Sequence, residues 1–387
     1  MDTVNVKEMR AYFRVLLCLC IWSVTLSCVE PKIKMSFEGF SNDTVIMYSV
    51  LLDDIINATN DSVVNIDTLL IKNNRLNIPI TIKDGVMNYQ IRFCETDDGN
   101  INYSRRHIIL YAQSEECLRC KVTRGKEQFE YTVRGSALNE GLADYAKYVR
   151  PISFEIDRYN RGEAKNYEII NQLYDKRREK AAEWLRENQD SPAAMYVMAF
   201  EVEPDTLLVY YDKLFPMIEK SELRPLVERE KTRAEIYVAT VQAEKNVREG
   251  AEAPQFTLND NYGNSVSLAS LRGKWVVLDF WGTWCGWCLK GISDMKRAYN
   301  KHKNRCEFVS IDCNESRESW LKGLEKYQMP WVHLYNPKDS SPLNSVSVKY
   351  AVMGYPTKII ITPEGRIHKI FDGETAEFYA ELDRVVP

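Results

Sequence analysis

The sequence is poor in several features that mark familiar classes of protein. Its 17 glycines and 14 prolines are too few, among 387 residues, for a collagen-like or low-complexity chain. The formal net charge is −4, which gives no overall basic footprint for nucleic acid. Only four histidines are present, and their spacing is not that of metal ligands. Neither a nucleic-acid partner nor a metal centre is therefore predicted.

Long hydrophobic runs are also lacking. The apolar-rich run near the amino end spans only the twelve residues from Val15 to Leu26, whereas a membrane-spanning helix needs about 20. Basic residues precede this run, and residues 1–27 are therefore predicted to be a signal peptide. We expect the chain to be exported.

The end of this segment bears on how the chain is held. Thr25-Leu26-Ser27-Cys28 resembles a bacterial lipobox, although that family usually has Leu where this sequence has Thr25. The resemblance implies a lipid anchor at Cys28, on the periplasmic side of the cell envelope. The alternative is simple secretion with Cys28 unmodified.

Export also places the chain in an oxidising compartment. Thiols there become disulfides, metal sites or working redox groups.

Three compositional zones follow. Residues 28–135 alternate β-branched and aromatic residues between turns, which predicts an antiparallel β-sandwich-like domain. Residues 136–250 have apolar residues at three- and four-residue spacing among many charges, which predicts a helical domain, with one helix starting at Ser191-Pro192. Residues 251–387 alternate strand and helix patterns, which predicts an α/β domain with a mixed central sheet and flanking helices.

Cysteine, with ten copies, is the residue that stands out. Cys285 and Cys288 lie in Cys-Gly-Trp-Cys, where a buried-type strand ends and a helix is predicted to begin. The amide groups and dipole of a helix N-terminus favour negative charge, which lowers the pKa of a thiol there. Cys285 is therefore the predicted nucleophile. Cys288, one turn later and expected to be less exposed, would resolve the mixed disulfide.

Three other interpretations of this motif are weaker. A structural disulfide at this spacing closes a very small loop and cross-links almost nothing. A zinc site needs a second ligand pair at suitable spacing, and the other Cys-x-x-Cys, Cys117 to Cys120, lies in a different zone. A peroxide-reducing cysteine usually follows a proline where this chain has Leu278. A redox dithiol is the favoured interpretation.

Residues 275–288, Trp-Val-Val-Leu-Asp-Phe-Trp-Gly-Thr-Trp-Cys-Gly-Trp-Cys, resemble the active-site stretch of the thioredoxin superfamily. The longer frame, with Gly354-Tyr355-Pro356-Thr357, resembles the exported thiol–disulfide oxidoreductases related to TlpA and ResA. The resemblance covers residues 251–387 and implies a thioredoxin-like fold for them. The preceding zones look more loosely like the amino-terminal domains of such proteins in Bacteroidetes.

The resemblance implies further site residues. Pro356 matches the family's cis-proline, which leaves backbone groups of Tyr355 free to pair with substrate as an added strand. Asp279 matches an acid that accepts the Cys288 proton through water. ResA-like proteins often place a Glu where this chain has Gly291, so Asp279 is predicted to be the only acid–base candidate of the motif.

The residues around the sulfurs are predicted to contact substrate. Trp284, Gly286 and Trp287 form this set, in which the two tryptophans act as an apolar collar, whereas Trp281 is expected to pack in the core. No histidine lies between the cysteines to stabilise a thiolate, and lower thiolate stability means a more reducing pair. A reductase is therefore favoured over an oxidase or isomerase.

The remaining cysteines are predicted to be passengers or local staples. Cys306 and Cys313 bracket a predicted strand of about 23 Å, at about 3.3 Å per residue, and are expected to be buried free thiols. Cys117 and Cys120 form a local disulfide, or one of them pairs with Cys94; these alternatives stay open at this point.

The predicted function is that of a membrane-tethered, extracytoplasmic thiol–disulfide oxidoreductase that reduces disulfides of exported proteins. No metal or organic cofactor is expected, but an upstream electron donor is. The alternative is a lipoprotein that binds or scaffolds a partner and uses the dithiol as a redox sensor.

Overall fold

A computed structural model of the protein describes residues 32–40, 44–57, 64–97, 100–125, 129–161, 166–337 and 342–386. The predicted signal segment and Cys28 lie outside these ranges. The chain divides into two compact units that meet at Arg229 and Glu230. A separate helical domain over 136–250 stays a prediction. Among the described residues, no helix has the length and apolar character needed to cross a membrane.

The amino-terminal unit begins with strands and continues with helices. Its strands are β1 (Lys32–Glu38), β2 (Thr44–Leu51), β3 (Asn65–Leu70), β4 (Arg75–Pro79), β5 (Met87–Asp97), β6 (Asn100–Ala112), β7 (Cys117–Arg124) and β8 (Phe129–Arg134). Its helices are α1 (Leu52–Asn57), α2 (Ala137–Arg161), α3 (Tyr167–Glu187), α4 (Ala194–Phe200) and α5 (Pro204–Ile218), and α6 (Arg224–Glu244) crosses into the second unit.

The strands form two four-stranded sheets, in the orders β4-β1-β7-β8 and β3-β2-β5-β6. Burial alternates along β1 and β2, so that Ile33 and Met35 from one sheet share a core with Val45 and Met47 from the other. The predicted antiparallel module is present. One pair departs from it, because β1 and β7 run parallel.

The helices of this unit confirm the predicted helical segment, with one shifted boundary. Helix α3 is capped by the Asn166 side chain, which accepts a hydrogen bond from the Ile169 amide. Helix α4 begins at Ala194 rather than at the predicted Ser191-Pro192, which instead lie in the turn before it. The Ala194 amide donates to the Ser191 carbonyl at 2.9 Å, so Ser191 acts through its backbone.

The carboxy-terminal unit alternates strands and helices. Its strands are β9 (Thr257–Asp260), β10 (Ser265–Ser267), β11 (Trp275–Trp281), β12 (Cys306–Asp312), β13 (Val332–Tyr335), β14 (Thr357–Ile361) and β15 (Ile367–Asp372). Its further helices are α7 (Gly286–His302), α8 (Arg317–Tyr327), α9 (Val346–Lys349) and α10 (Ala376–Val385).

These strands form one mixed sheet in the order β10-β9-β13-β12-β11-β14-β15. The central strands β11, β12 and β13 run parallel, and β14 and β15 are antiparallel to their neighbours. Strand β11 is buried on both faces: Val276 and Leu278 belong to one core, and Val277 belongs to the other. A continuous apolar run is typical of such a covered strand. The predicted thioredoxin-like architecture is therefore confirmed.

The topology brings distant residues together at the end of β11. Asp279 lies opposite Ser310 of β12 on one side and opposite Lys358 of β14 on the other. The chain then leaves the sheet after Trp281 and enters α7 at Cys285.

Candidate active site

Cys285 is the N-cap residue of α7. Its sulfur accepts a hydrogen bond from the Cys288 amide at 3.2 Å, and the two cysteines are disulfide-bonded with their Cα atoms 5.3 Å apart. The Cys288 amide, in the first turn of the helix, thus points toward the Cys285 sulfur. This setting favours a thiolate at Cys285 once the disulfide is reduced.

Exposure does not distinguish the two cysteines. Cys285 and Cys288 are each 6% exposed, so the expectation that Cys288 is the less exposed of the two is wrong for the disulfide form. Closing the ring turns both sulfurs toward each other. The preference for Cys285 as nucleophile therefore rests on its N-cap position.

Hydrogen bonds hold the loop that leads from β11 to Cys285. The Thr283 amide donates to Glu315 at 2.7 Å, and its hydroxyl donates to the other oxygen of the same carboxylate. The indole N–H of Trp284 donates to the Cys313 carbonyl at 2.9 Å. The loop is thereby anchored to the segment that follows β12.

Aromatic side chains surround the exposed side of the disulfide. Trp284 is 51% exposed and Trp287 is 65% exposed. The Trp284 ring packs edge-on against Tyr355, with centroids 5.2 Å apart. A Cβ added at Gly286 would meet no atom within 4 Å, so the surface beside the disulfide is open there. Trp281, in contrast, is buried as predicted.

Pro356 follows Tyr355 at the start of β14, and the peptide bond between them is cis. The Tyr355 hydroxyl accepts a hydrogen bond from the Asn314 side chain at 3.1 Å. These contacts place Tyr355 beside Trp284 on the exposed side of the disulfide.

A buried charge cluster lies on the other side. Asp279 accepts a hydrogen bond from the Ser310 hydroxyl at 2.9 Å, and its other oxygen lies 3.6 Å from the Lys358 ammonium. The ammonium also donates to Glu374 at 2.5 Å. Burial raises the pKa of the Asp279 carboxyl and the Glu374 carboxylate adds to the rise, whereas Lys358 and Ser310 oppose it.

A small cavity joins this cluster to the disulfide. Its lining residues are Asp279, Trp281, Cys288, Gly291, Ile292, Met295, Met329, Trp331, Lys358 and Glu374. The space open to the centre of a water molecule is about 10 Å³, which is near the minimum for one bound water. Cys288, rather than Cys285, is the cysteine that lines it.

Comparison with known proteins agrees with this geometry. Residues 250–370 match the model of the AhpC/TSA family. The thiol-disulfide oxidoreductase ResA of Bacillus subtilis (strain 168) is 32% identical over 143 residues, which cover 37% of this chain and 77% of that protein. The chain belongs to the ResA-type thiol-disulfide oxidoreductases. It is therefore an enzyme of thiol–disulfide exchange.

Other similar proteins cover a similar share of the chain. ResA of Bacillus cereus is 27% identical over 155 residues, 39% of this chain and 87% of that protein. The thioredoxin domain of a thiol-disulfide oxidoreductase from Bacteroides vulgatus is 30% identical, with a TM-score of 0.34, over 36% of this chain and 99% of that domain. The AhpC/TSA match, over residues 250–370, lies in the carboxy-terminal unit.

Two members of the buried charge cluster in this ResA-type site, Lys358 and Glu374, were not predicted from the sequence. Asp279 stays the only acid–base candidate that the motif offers, but Glu374 and Lys358, which lie outside the motif, line the same cavity. Lys358 could have been recognised as a candidate from the sequence, because it is a lysine inside the apolar strand β14. Glu374 could not, because no sequence pattern in the turn between β15 and α10 indicates a contact with α7.

A second buried acid was also missed. Asp312, at the end of β12, is fully buried, and neither of its carboxylate oxygens has a hydrogen-bond partner among the described residues. Burial raises the pKa of Asp312 to about 9, and the neighbouring Glu315 adds to the rise. The raised pKa favours the protonated form of Asp312 at neutral pH, next to the Glu315 carboxylate that anchors Thr283.

Of the other cysteines whose side chains the structure describes, one is bonded and three are free. Cys306 and Cys313 are buried free thiols, as predicted, and Cys120 is a third. Burial raises the pKa of Cys306 and of Cys120 to about 12, so both stay protonated at neutral pH. Cys117 is disulfide-bonded, which excludes the local pair with Cys120. The Cys94 side chain lies outside the described part of the structure.

Within the described residues, no group of three or more His, Cys, Asp or Glu side chains is arranged to hold a metal ion.

Proposed function

We propose that this ResA-type protein is an extracytoplasmic reductase that uses the Cys285–Cys288 dithiol to reduce disulfides of exported proteins. The observation that carries this proposal is the N-cap position of Cys285, whose sulfur accepts a hydrogen bond from the Cys288 amide in the first turn of α7. A thiolate stabilised there attacks a substrate disulfide, and Cys288 then resolves the mixed disulfide.

The exposed aromatic residues support a protein substrate. Trp284 and Trp287 offer apolar surface on which an extended chain can pack, and Gly286 leaves the approach between them open. Backbone groups of Tyr355, beside Pro356, would pair with the substrate as an added strand. Disulfides in extended or unfolded segments are the favoured targets.

Turnover tests this function directly. With dithiothreitol as reductant, the full-length protein is expected to accelerate insulin reduction, and Cys285→Ser should lose at least about 100-fold of that rate because the attacking thiolate is gone. Cys306→Ser removes a buried thiol of the same unit and is the matched control. Equal rates for wild type and Cys285→Ser would refute the reductase.

The direction of electron flow is tested by the reduction potential of the Cys285–Cys288 pair. The Gly-Trp pair between the cysteines supplies no imidazolium to stabilise a thiolate, which favours a reducing couple. A potential near the oxidising end, about −120 mV, would contradict this direction.

A lipid anchor at Cys28 and a position on the periplasmic side of the cell envelope complete the proposal. An upstream reductant, supplied from the membrane, would return the disulfide to the dithiol. Metabolic labelling with an alkynyl fatty acid is expected to mark the wild-type chain and not Cys28→Ser. Label retained in Cys28→Ser would contradict the anchor.

A second role, binding by the amino-terminal unit, has an observation of its own. A cavity of about 380 Å³ lies among α2, α3 and the neighbouring strands, within the usual range of ligand sites. It contains a buried ion pair between Arg177 and Glu201, and the Tyr145 hydroxyl donates to the same carboxylate at 2.9 Å. This cavity suits a mostly apolar ligand or side chain.

Filling the cavity separates this role from redox turnover. Ala146→Phe, in the cavity wall, is expected to lower the reduction rate of a protein substrate that docks there and to leave a small aryl disulfide unaffected. If both rates stay unchanged, binding in this cavity takes no part in turnover.

A further inference from the structure

Gly291 lies one turn after Cys288 on α7 and therefore on the same helix face. A Cβ placed at Gly291 would lie 2.1 Å from an Oε2 atom of Glu374 and 2.3 Å from its Cδ. The carboxylate of Glu374 thus fills the space that a side chain of α7 would otherwise take. Glycine at position 291 is what admits it.

Both oxygens of Glu374 are held. Oε2 accepts from the Lys358 ammonium at 2.5 Å, and Oε1 accepts from the Tyr379 hydroxyl of α10. The Glu374 side chain is only 13% exposed and that of Lys358 only 3%. Such buried partners fix each other's positions, because leaving either one uncompensated is costly.

The charges of the cluster do not cancel. Asp279 and Glu374 carry two negative charges when both are ionised, and Lys358 carries one positive charge. Burying the excess negative charge is unfavourable, which favours uptake of a proton at Asp279. The cavity connects this pair to Cys288.

We propose that Glu374 is a positioning residue of the dithiol site, which holds Lys358 beside Asp279, the carboxylate that takes up the proton that Cys288 releases. The inference rests on the proposed dithiol chemistry. Glu374 acts through Lys358 and Asp279, whereas Asp279 accepts the proton through the cavity.

The step balances as follows from the mixed disulfide between Cys285 and the substrate. The Cys288 thiol gives its proton to the Asp279 carboxylate, and its thiolate sulfur bonds to the Cys285 sulfur. The bond between Cys285 and the substrate sulfur breaks, and that sulfur leaves as a thiolate, which takes up a proton. The substrate gains two electrons in all, and the Cys285–Cys288 dithiol is oxidised.

A chromogenic aryl disulfide separates the two chemical steps. It releases one coloured thiolate when Cys285 of the reduced full-length protein attacks and a second when Cys288 resolves. In Glu374→Gln we expect the second release to slow about tenfold at neutral pH, at or below the low end of general acid–base effects. The first release should stay within about twofold, because Cys285 lies at the helix N-cap and does not line the cavity.

The pH profile provides a readout that a purely structural role would not move. The charged or titratable groups around Asp279 are Lys358 of β14, Glu374 and Tyr379 before and on α10, and Cys288 of α7. Because the Glu374 carboxylate raises the pKa of Asp279, Glu374→Gln should move the rising limb of the second step to lower pH. Glu377→Gln, in an exposed pair on α10, should leave both steps and the profile unchanged.

A rescue variant distinguishes loss of the Glu374 carboxylate from loss of folding. Gly291→Glu combined with Glu374→Ala supplies a carboxylate to the cavity from α7, and it should restore the second step relative to Glu374→Ala alone. The inference is overturned if Glu374→Gln matches wild type, if both releases slow equally in a folded variant, or if the combined variant gives no rescue. Turnover in Cys285→Ser would instead refute the proposed function.

Discussion

The disulfide separates two surroundings of opposite character. Its outer face, formed by Trp284, Trp287 and Tyr355, is aromatic and largely open. Its inner face, formed by Asp279, Lys358 and Glu374, is charged and buried. The outer face suits contact with a substrate chain, and the inner face suits transfer of a proton. One pair of sulfurs thus serves two tasks without exposing the charges to water.

The inner face should respond most strongly to loss of its cation. In Lys358→Met we expect the free energy of unfolding to fall by about 3–5 kcal/mol at neutral pH, because Asp279 and Glu374 stay buried without compensation. Urea unfolding followed by tryptophan fluorescence measures the change in the carboxy-terminal unit, which contains all the tryptophans except Trp22 and Trp184.

An exposed lysine provides the matched control. Lys369 of β15 pairs with Glu377 near the surface, and Lys369→Met should change the free energy of unfolding far less than Lys358→Met, because an exposed ion pair contributes little to stability. Equal losses in the two lysine variants would mean that the inner face is not a buried charge cluster.

The free energy of unfolding should depend on pH through Asp312, which lies next to the Glu315 carboxylate that anchors Thr283. Asp312 has its pKa raised from 3.8 to about 9 in the folded chain. Below pH 3.8 the Asp312 carboxyl is protonated in both the folded and the unfolded chain. As the pH rises from 3.8 toward 9, Asp312 loses its proton in the unfolded chain and keeps it in the folded chain. Asp312 therefore destabilises the fold increasingly across that window. In Asp312→Asn the stability gain over wild type should grow by about 4 kcal/mol from about pH 5 to pH 8, because each pH unit between the two pKa values contributes about 1.4 kcal/mol.

Chemical denaturation at the two pH values measures this change. Asp372→Asn, at the exposed end of β15, should show no such growth. A stability difference that is independent of pH in Asp312→Asn would contradict a protonated Asp312.

Sequence and structure differ along the same division. The outer face was predictable, because Trp284, Cys285 and Trp287 are neighbours in the chain at a recognisable strand–helix junction. The inner face was predictable only at Asp279, which precedes that junction on the same strand. Glu374 reaches Gly291 through the pairing of β14 with β11 and the turn after β15, and no local pattern encodes where its side chain points.

The amino-terminal unit shows the same limit. Alternating burial along β1 and β2 was readable as strands from the residues themselves. The parallel pairing of β1 with β7 was not, because it joins segments that are far apart in the chain. Local periodicity predicts elements, whereas long-range packing decides which of them meet.

Removal of the inner carboxylate should affect the second chemical step alone. In Asp279→Asn we expect release of the second coloured thiolate to slow about 10- to 100-fold at neutral pH, because Cys288 loses its proton acceptor. The rising limb of the wild-type profile reflects the raised pKa of Asp279, and it should disappear in the variant. An equal slowing of the first release would place Asp279 in the attack by Cys285 instead.

The outer face should give the smallest effect and one that depends on the substrate. Trp287 is 65% exposed and stacks with Lys290, whose ammonium lies 4.3 Å from the ring centroid. Because an extended chain would cover this ring, Trp287→Ala should lower kcat/KM for a protein disulfide about threefold, less than 1 kcal/mol. A small aryl disulfide should be unaffected. Tyr262→Ala, which removes an aromatic side chain that is 83% exposed in the β9–β10 turn, is the matched control; equal losses in both variants would show that the effect does not belong to the outer face.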